Sequence, residues 1–92
     1  MADKGLYIPP EILADSQLGS SSKMVYAVMV ESAESDGFVR ITSPELGART
    51  GMTSKAAVHN RWILRKLGYV EPIPKTKHNY RIVKWPGGRR DG

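Results

Sequence analysis

The sequence predicts an α+β domain with a three-helix core, a small antiparallel sheet that includes a β-hairpin, and an extra short N-terminal helix. Two stretches without glycine or proline, 20–32 and 54–67, are rich in apolar residues and favour helices. Three shorter segments, 38–41, 69–73 and 79–85, lie between turn signals and are typical of strands. With 92 residues and 40% hydrophobic composition, the chain can bury one core.

Composition excludes several classes of protein. The chain has no cysteine, which excludes a disulfide framework, a thiolate metal site and a cysteine nucleophile. Its longest apolar run, residues 24–30, is far shorter than the ~20 residues of a membrane span, and the N-terminus lacks the basic-then-apolar pattern of a secretion signal. We therefore expect a cytoplasmic protein.

The net charge of +5 is distributed unevenly along the chain. Residues 1–48 hold three basic and seven acidic residues, whereas residues 49–90 hold eleven basic residues and one acid, Glu71. The local net charges are therefore −4 and +10. Because a generally basic surface would spread its charge more evenly, the asymmetry predicts a polyanionic partner, nucleic acid first and a membrane surface second.

The first 19 residues are predicted to be an N-terminal extension with one short helix. Ile8 precedes a proline and should stay extended, while Pro10 suits the first position of a helix over 10–15. This segment could instead serve a dimer contact.

The next stretch predicts the central helix of a domain that spans 20–85. Its apolar run, Val-Tyr-Ala-Val-Met-Val, could also form a buried strand. The serines at 20–22 offer an N-cap, and more than ten residues precede the Asp36-Gly37 turn signal, so a helix is favoured. Because the run is apolar on all sides, the helix should be buried.

A short strand over 38–41 and a second short helix come next. Ser43 should cap that helix, with Pro44 in its first position and Glu45 in its first turn, where the helix dipole favours a negative charge. The helix should end near residue 50, because Gly51 suits the left-handed conformation of a C-terminal turn.

A third helix is predicted from residue 54 to about residue 67, capped by Thr53 and ended by Gly68. At about 100° per residue, one side of this helix is apolar and the other is polar and basic. The apolar side carries Met52, Ala56, Ile63, Leu64 and Leu67. The opposite side carries Ser54, Val58, Arg61 and Arg65, flanked by Lys55 and Trp62. Asn60 falls on the apolar side, where it needs a hydrogen-bond partner.

The remaining chain predicts a basic β-hairpin and a flexible basic tail over 86–92. Two strands, 69–73 and 79–85, are joined by a loop. The loop carries Lys75, Lys77 and His78. The prolines at 72 and 74 confine the first strand to a sheet edge, because proline cannot donate a hydrogen bond to a neighbouring strand.

This order of elements predicts a winged helix-turn-helix, since two helices joined by about four residues are followed directly by a hairpin. The stretch SPELGARTGMTSKAAVHNRWILRKLGYVEP resembles bacterial, phage and plasmid winged-helix proteins in its glycine turn, capped helix and closing Leu-Gly-Tyr-Val. The stretch YIPPEILADSQLGSSSKMVYAVMV is similar to the N-terminal domains of plasmid replication initiators and phage replication organisers. Together the two resemblances cover Ile8 to about Val83. Asn60 and Arg61 stand where such proteins usually carry small or apolar residues.

The resemblance implies recognition of double-stranded DNA by the second helix of the motif. By position in that helix, the residues nearest the bases are Ser54, Lys55, Val58 and Arg61, with Arg65 and Trp62 toward the backbone. Arg61 is the leading candidate for base readout, because its planar fork can pair with guanine. Trp62 could equally pack at the edge of the core. The expected DNA-binding set is completed by Thr53, His59, Lys75, Lys77, His78 and Arg81.

The function expected from these features is sequence-specific DNA binding without catalysis. The protein would be a transcriptional regulator, or a replication or partition factor of a plasmid or phage, associated with the nucleoid or plasmid. A homodimer on paired half-sites is expected, because one small module gives limited specificity. No membrane partner is expected, and a further protein partner is left open.

Two other classes of function are weighed as alternatives. A protein-interaction adaptor has little need for a charge of +10 across residues 49–90. An RNA-binding module would expose aromatic residues on a sheet, and only Tyr80 and Trp85 are candidates. No cofactor or metal is expected, because His59 and His78 lie nineteen residues apart with no carboxylate cluster nearby. The glycines of GARTGMTSK are wrongly spaced for a phosphate-binding loop.

Overall fold

The computed structural model describes residues 15–76 and 78–84, which form three helices and a three-stranded antiparallel sheet. The elements in chain order are α1 (Ser20–Ser32), β1 (Phe38–Arg40), α2 (Ser43–Thr50), α3 (Ser54–Lys66), β2 (Val70–Pro72) and β3 (Asn79–Ile82). This confirms an α+β fold and is compatible with a winged helix. Of the helix predicted over 10–15 only Asp15 is described, and it is not helical. Residues 10–14, 77 and 85 and the tail over 86–92 lie outside the described residues.

Helix α1 is the buried centre of the fold, as its apolar run predicts. Val25, Tyr26 and Met29 are fully buried in it. The predicted serine cap is wrong, because Gly19 is the N-cap residue and no side chain caps this helix. The serines lie inside the first turn instead, and Ser22 is buried. A buried hydroxyl needs a partner, so this serine serves a tertiary contact rather than the helix end.

Helices α2 and α3 are joined by a turn of three residues, 51–53. The backbone N–H of Glu45 donates to the Thr42 hydroxyl over 3.3 Å, so α2 is capped one residue earlier than predicted. At the other end, Gly51 has φ 74° and confirms the predicted left-handed turn. Thr53 caps α3 as predicted, accepting from the N–H of Ala56 over 3.1 Å.

Gly47 allows α2 to approach the start of α3 closely. Its carbonyl accepts from the N–H of Met52 over 2.9 Å. A Cβ at position 47 would lie 2.7 Å from the Met52 carbonyl oxygen and 3.1 Å from the nitrogen of Ser54. Both neighbours are backbone atoms that cannot rotate away, so the turn between the helices requires glycine at this position.

The sheet has the strand order β1-β3-β2, so β2 is an edge strand, as its prolines predict. Tyr80 pairs with Val39 on one side and with Pro72 on the other, and its side chain points toward the helices. Ile82, two residues later, lies on this same inner face and is buried in the core. Arg81 alternates with both and lies on the outer face.

The segment before α1 packs against the domain. Leu18 is buried in the core, and the Tyr69 hydroxyl donates to the Asp15 carboxylate. That hydrogen bond, with a second from the N–H of Gln17, holds the pKa of Asp15 below its ordinary value. The ring of Tyr26 in turn meets Tyr69 edge to face, with centroids 5.5 Å apart. The end of the predicted extension is therefore part of the packed structure.

Candidate nucleic-acid interface

The orientation of α3 decides which of its side chains a partner can reach. Ala57, Arg61 and Leu64 are its buried residues. The exposed side chains are those of Ser54, Lys55, Val58, His59, Trp62, Arg65 and Lys66, which we call the outward face of α3. This face is centred near Trp62, whereas the predicted set of Ser54, Val58, Arg61 and Arg65 is centred near Ser54 and Arg65. At about 100° per residue, the helix is therefore turned by about 60° from the predicted orientation.

The prediction that Arg61 lies on the outward face is wrong. Its side chain is only 6% exposed, and its guanidinium carbon lies 4.5 Å from the ring centroid of Tyr80 on the inner face of the sheet. Neither Nε nor Nη1 has a hydrogen-bond partner among the described residues. A guanidinium enclosed in this way cannot present its fork to a base edge. It fixes the position of α3 against the sheet instead.

Asn60 has the hydrogen-bond partners that its place on the apolar side requires. Its Oδ1 accepts from the Ser22 hydroxyl over 2.8 Å, and its Nδ2 donates to the Ala56 carbonyl over 2.9 Å. The first of these bonds ties α3 to α1, so Asn60 must point inward. Arg61, the next residue along the helix, is carried partly inward with it.

Trp62 stands at the centre of the outward face, with 49% of its surface exposed. It is not one of the partly buried side chains that pack against the core. The imidazole ring of His59 lies nearly parallel to it, with centroids 6.3 Å apart and planes 19° from parallel. The Lys66 ammonium lies 5.1 Å from the centroid of the indole. The indole is thus held by its own helix, in a cation–π contact, and stays accessible.

The outward face of α3 is basic. Lys55, Arg65 and Lys66 are exposed on it, and no residue of α3 is acidic. Lys66 is the member that the sequence prediction missed. Its spacing of four from Trp62 was the available signal, because residues four apart lie on the same side of a helix. The start of the helix contributes Ser54, while the hydroxyl oxygen of Thr53 is engaged in capping.

The β2–β3 hairpin places Lys75 at its tip. The N–H and the hydroxyl of Thr76 both donate to the Ile73 carbonyl, over 3.3 and 2.7 Å. Lys75 has φ 67°, a left-handed conformation that costs a non-glycine residue roughly 1 kcal/mol. Lys75 and His78 are both exposed. Lys77 lies outside the described residues.

Arg81 is separate from the outward face of α3. It lies on the outer face of the sheet, and its Nη1 is 3.8 Å from a carboxylate oxygen of Glu71 on the neighbouring strand. The exposed aromatic face that RNA binding would need is not built from Tyr80 either. Its ring is half-buried and turned toward Arg61.

Within residues 15–76 and 78–84, no group of three or more His, Asp or Glu side chains is placed to hold a metal ion. No helix in this part of the chain is long and apolar enough to cross a membrane. No model of a known protein family matches the chain, and comparisons with curated proteins and with solved structures return no similar protein.

Proposed function

We propose that this chain is a sequence-specific double-stranded DNA-binding protein with a winged helix-turn-helix fold. In this proposal α3 enters the major groove and the β2–β3 hairpin is the wing. The observation that carries it is the outward face of α3, which has basic residues at both ends, Lys55 at one and Arg65 and Lys66 at the other, on a helix without a carboxylate. A helix with side chains is roughly 10–12 Å across, and the major groove is about 12 Å wide.

The roles of individual residues follow from the observed orientation of α3. In helix-turn-helix proteins the N-terminal part of the second helix contacts the base edges. Lys55, Val58 and His59 are the exposed side chains in that part, and Trp62 follows one turn later. Arg65 and Lys66, near the C-terminal end, would contact phosphates. Positioning by phosphate contacts and readout by base contacts would thus be divided along one helix.

The biological setting is inferred from the sequence resemblance. It favours a transcriptional regulator, or a replication or partition factor of a plasmid or phage. A single module of this size buries limited surface on DNA, so a homodimer on paired half-sites would supply the remaining specificity. Selection of bound duplexes from a random pool tests this, because a palindromic site indicates a symmetric dimer and directly repeated sites favour replication or partition.

The binding experiment measures affinity for a selected duplex and for a scrambled duplex over a range of salt concentrations. We expect tighter binding to the selected duplex, and a slope of log affinity against log salt that steepens by about 0.9 for each phosphate contact. Arg65→Ala and Lys75→Ala should each weaken both duplexes alike and flatten the slope by about one contact. His59→Ala should instead reduce the preference for the selected duplex.

Two results would contradict the proposal. Binding that is insensitive to salt would exclude a phosphate-dominated interface. Equal affinity for selected, scrambled and single-stranded nucleic acid would exclude sequence-specific recognition of the duplex, and a preference for single-stranded RNA would favour the RNA-binding alternative.

A further inference from the structure

The outward face of α3 contains an apolar pair inside its basic surround. Val58 is 37% exposed and Trp62 is 49% exposed, and together they are two of the three large hydrophobic side chains left exposed by the described residues. Their spacing of four places them one above the other on the same side of the helix. A phosphate contact needs a cation or a hydrogen-bond donor. Val58 has neither, and Trp62 offers only its indole N–H, so the apolar surface of this pair requires a different explanation.

The chemistry around the pair selects its partner. Lys55, Arg65 and Lys66 surround it, and α3 offers no carboxylate. A partner must therefore be anionic overall and must also present small apolar groups at the centre of the contact. The major groove of DNA does both, since its edges are flanked by phosphates and the C5-methyl of thymine is its apolar group.

We infer that Val58 and Trp62 read thymine methyl groups in the major groove, an inference that rests on the proposed function. Four residues of α3 advance about 6 Å along the helix, which is close to two base-pair steps of about 3.4 Å. The pair therefore selects two thymines spaced about two steps apart. The contact of Trp62 with His59 and Lys66 limits the freedom of the indole, which reduces the entropy lost when it meets a base.

Deoxyuridine tests this directly, because it differs from thymidine only by lacking the C5-methyl group of the base. Thymines of the selected duplex are replaced one at a time, and binding is measured by fluorescence anisotropy at fixed salt. We expect about a fourfold loss of affinity at each of two thymines, the effect of withdrawing one methyl from an apolar contact, and little change elsewhere.

Variants of the protein assign the effect to residues. For Val58→Ala, replacing one of the two sensitive thymines by deoxyuridine should no longer weaken binding. For Trp62→Ala, the same should hold for the other thymine. Val83→Ala is the matched control, because Val83 is also 49% exposed but lies after β3, outside α3. It should keep the full sensitivity at both thymines.

The outcomes separate this inference from the proposed function. A chain that selects no duplex at all fails the proposed function. Selective binding without sensitivity to deoxyuridine leaves that function intact and overturns the thymine inference, as does a sensitivity that both alanine variants retain. If Trp62→Ala converts a dimer to a monomer in sedimentation without DNA, the pair is a contact between two copies of the chain and the inference is overturned.

Discussion

Arg61→Met should stabilise the protein, although it removes a charged side chain from a basic helix. In the folded protein, Nε and Nη1 of Arg61 are buried without hydrogen-bond partners among the described residues. Each such group costs roughly 1–3 kcal/mol. The contact with the Tyr80 ring at 4.5 Å returns roughly 2 kcal/mol when it is desolvated. Methionine keeps an unbranched stem of similar reach and removes both unpaired groups.

Two unpaired groups less the ring contact leave a net cost of roughly 0–4 kcal/mol for Arg61. We expect a gain of about 1–2 kcal/mol in the free energy of unfolding, because methionine recovers only part of the cost of burying the guanidinium. This corresponds to a rise of roughly 4–8 °C in Tm per kcal/mol for a domain of this size. Urea unfolding followed by tryptophan fluorescence measures it. Arg61→Ala is the comparison, because it also removes the charge but loses the packing of the stem, and it should be less stable than Arg61→Met.

The same variant also tests the orientation of α3. Because Arg61 cannot reach a base edge, Arg61→Met should leave the ratio of affinities for selected and scrambled duplexes unchanged. A loss of stability by more than about 1 kcal/mol would mean that the guanidinium is engaged by an anion. A collapse of that affinity ratio, with the protein still folded, would mean that Arg61 does face the DNA, and the reasoning from its burial would be refuted.

Other perturbations test packing away from the interface. Gly47→Ala should lower the free energy of unfolding by about 1–2 kcal/mol, because the added Cβ meets backbone atoms of the following turn. This loss should exceed the gain of about 1 kcal/mol that alanine brings as the better helix former. A more stable variant in a urea titration would contradict the close approach. Ser22→Ala and Asn60→Ala should show a coupling of about 1 kcal/mol in a double-mutant cycle, and simple additivity would argue against their hydrogen bond. Hydrogen bonding lowers the pKa of Asp15 in the folded protein below its ordinary value of 3.8. The ionised Asp15 carboxylate therefore stabilises the fold fully above about pH 5, and this stabilisation is lost as the pH falls through 3.8 toward the lower pKa of the folded protein. Tyr69→Phe should therefore weaken the acid dependence of unfolding, and an unchanged pH profile would exclude that bond as its source.

The order of the described helices and strands was predictable from the sequence because their end signals are local. Gly51 and Gly68, both with positive φ, mark helix ends that were expected from glycine alone. The prolines at 72 and 74 likewise indicated an edge strand. Capping was less predictable. Thr42 and Ser43 are adjacent hydroxyl residues, and either could have capped α2, so the sequence could not select between them.

The candidate interface was predicted in part. Lys55, Val58, His59 and Arg65 are exposed on α3 as expected, whereas Arg61 is buried. The helical periodicity that assigns the two sides of α3 places Arg61 on the polar side, which agrees with the usual exposure of arginine. A long side chain can instead lie along an aromatic ring inside the fold, and that arrangement depends on Tyr80, which is distant in sequence.

The sequence by itself determined the α+β composition, the positions of the turns and the concentration of positive charge in the C-terminal half. These features depend on residues close to one another along the chain or on simple counts. Only the tertiary structure decided how α3 is turned. The Ser22–Asn60 hydrogen bond and the Arg61–Tyr80 contact join distant segments, and together they place Trp62 outward and Arg61 inward. The predicted and observed orientations of α3 differ by less than the ~100° that separates neighbouring residues of a helix. Helical periodicity alone cannot resolve a difference that small when Asn60, Arg61 and Trp62 follow one another.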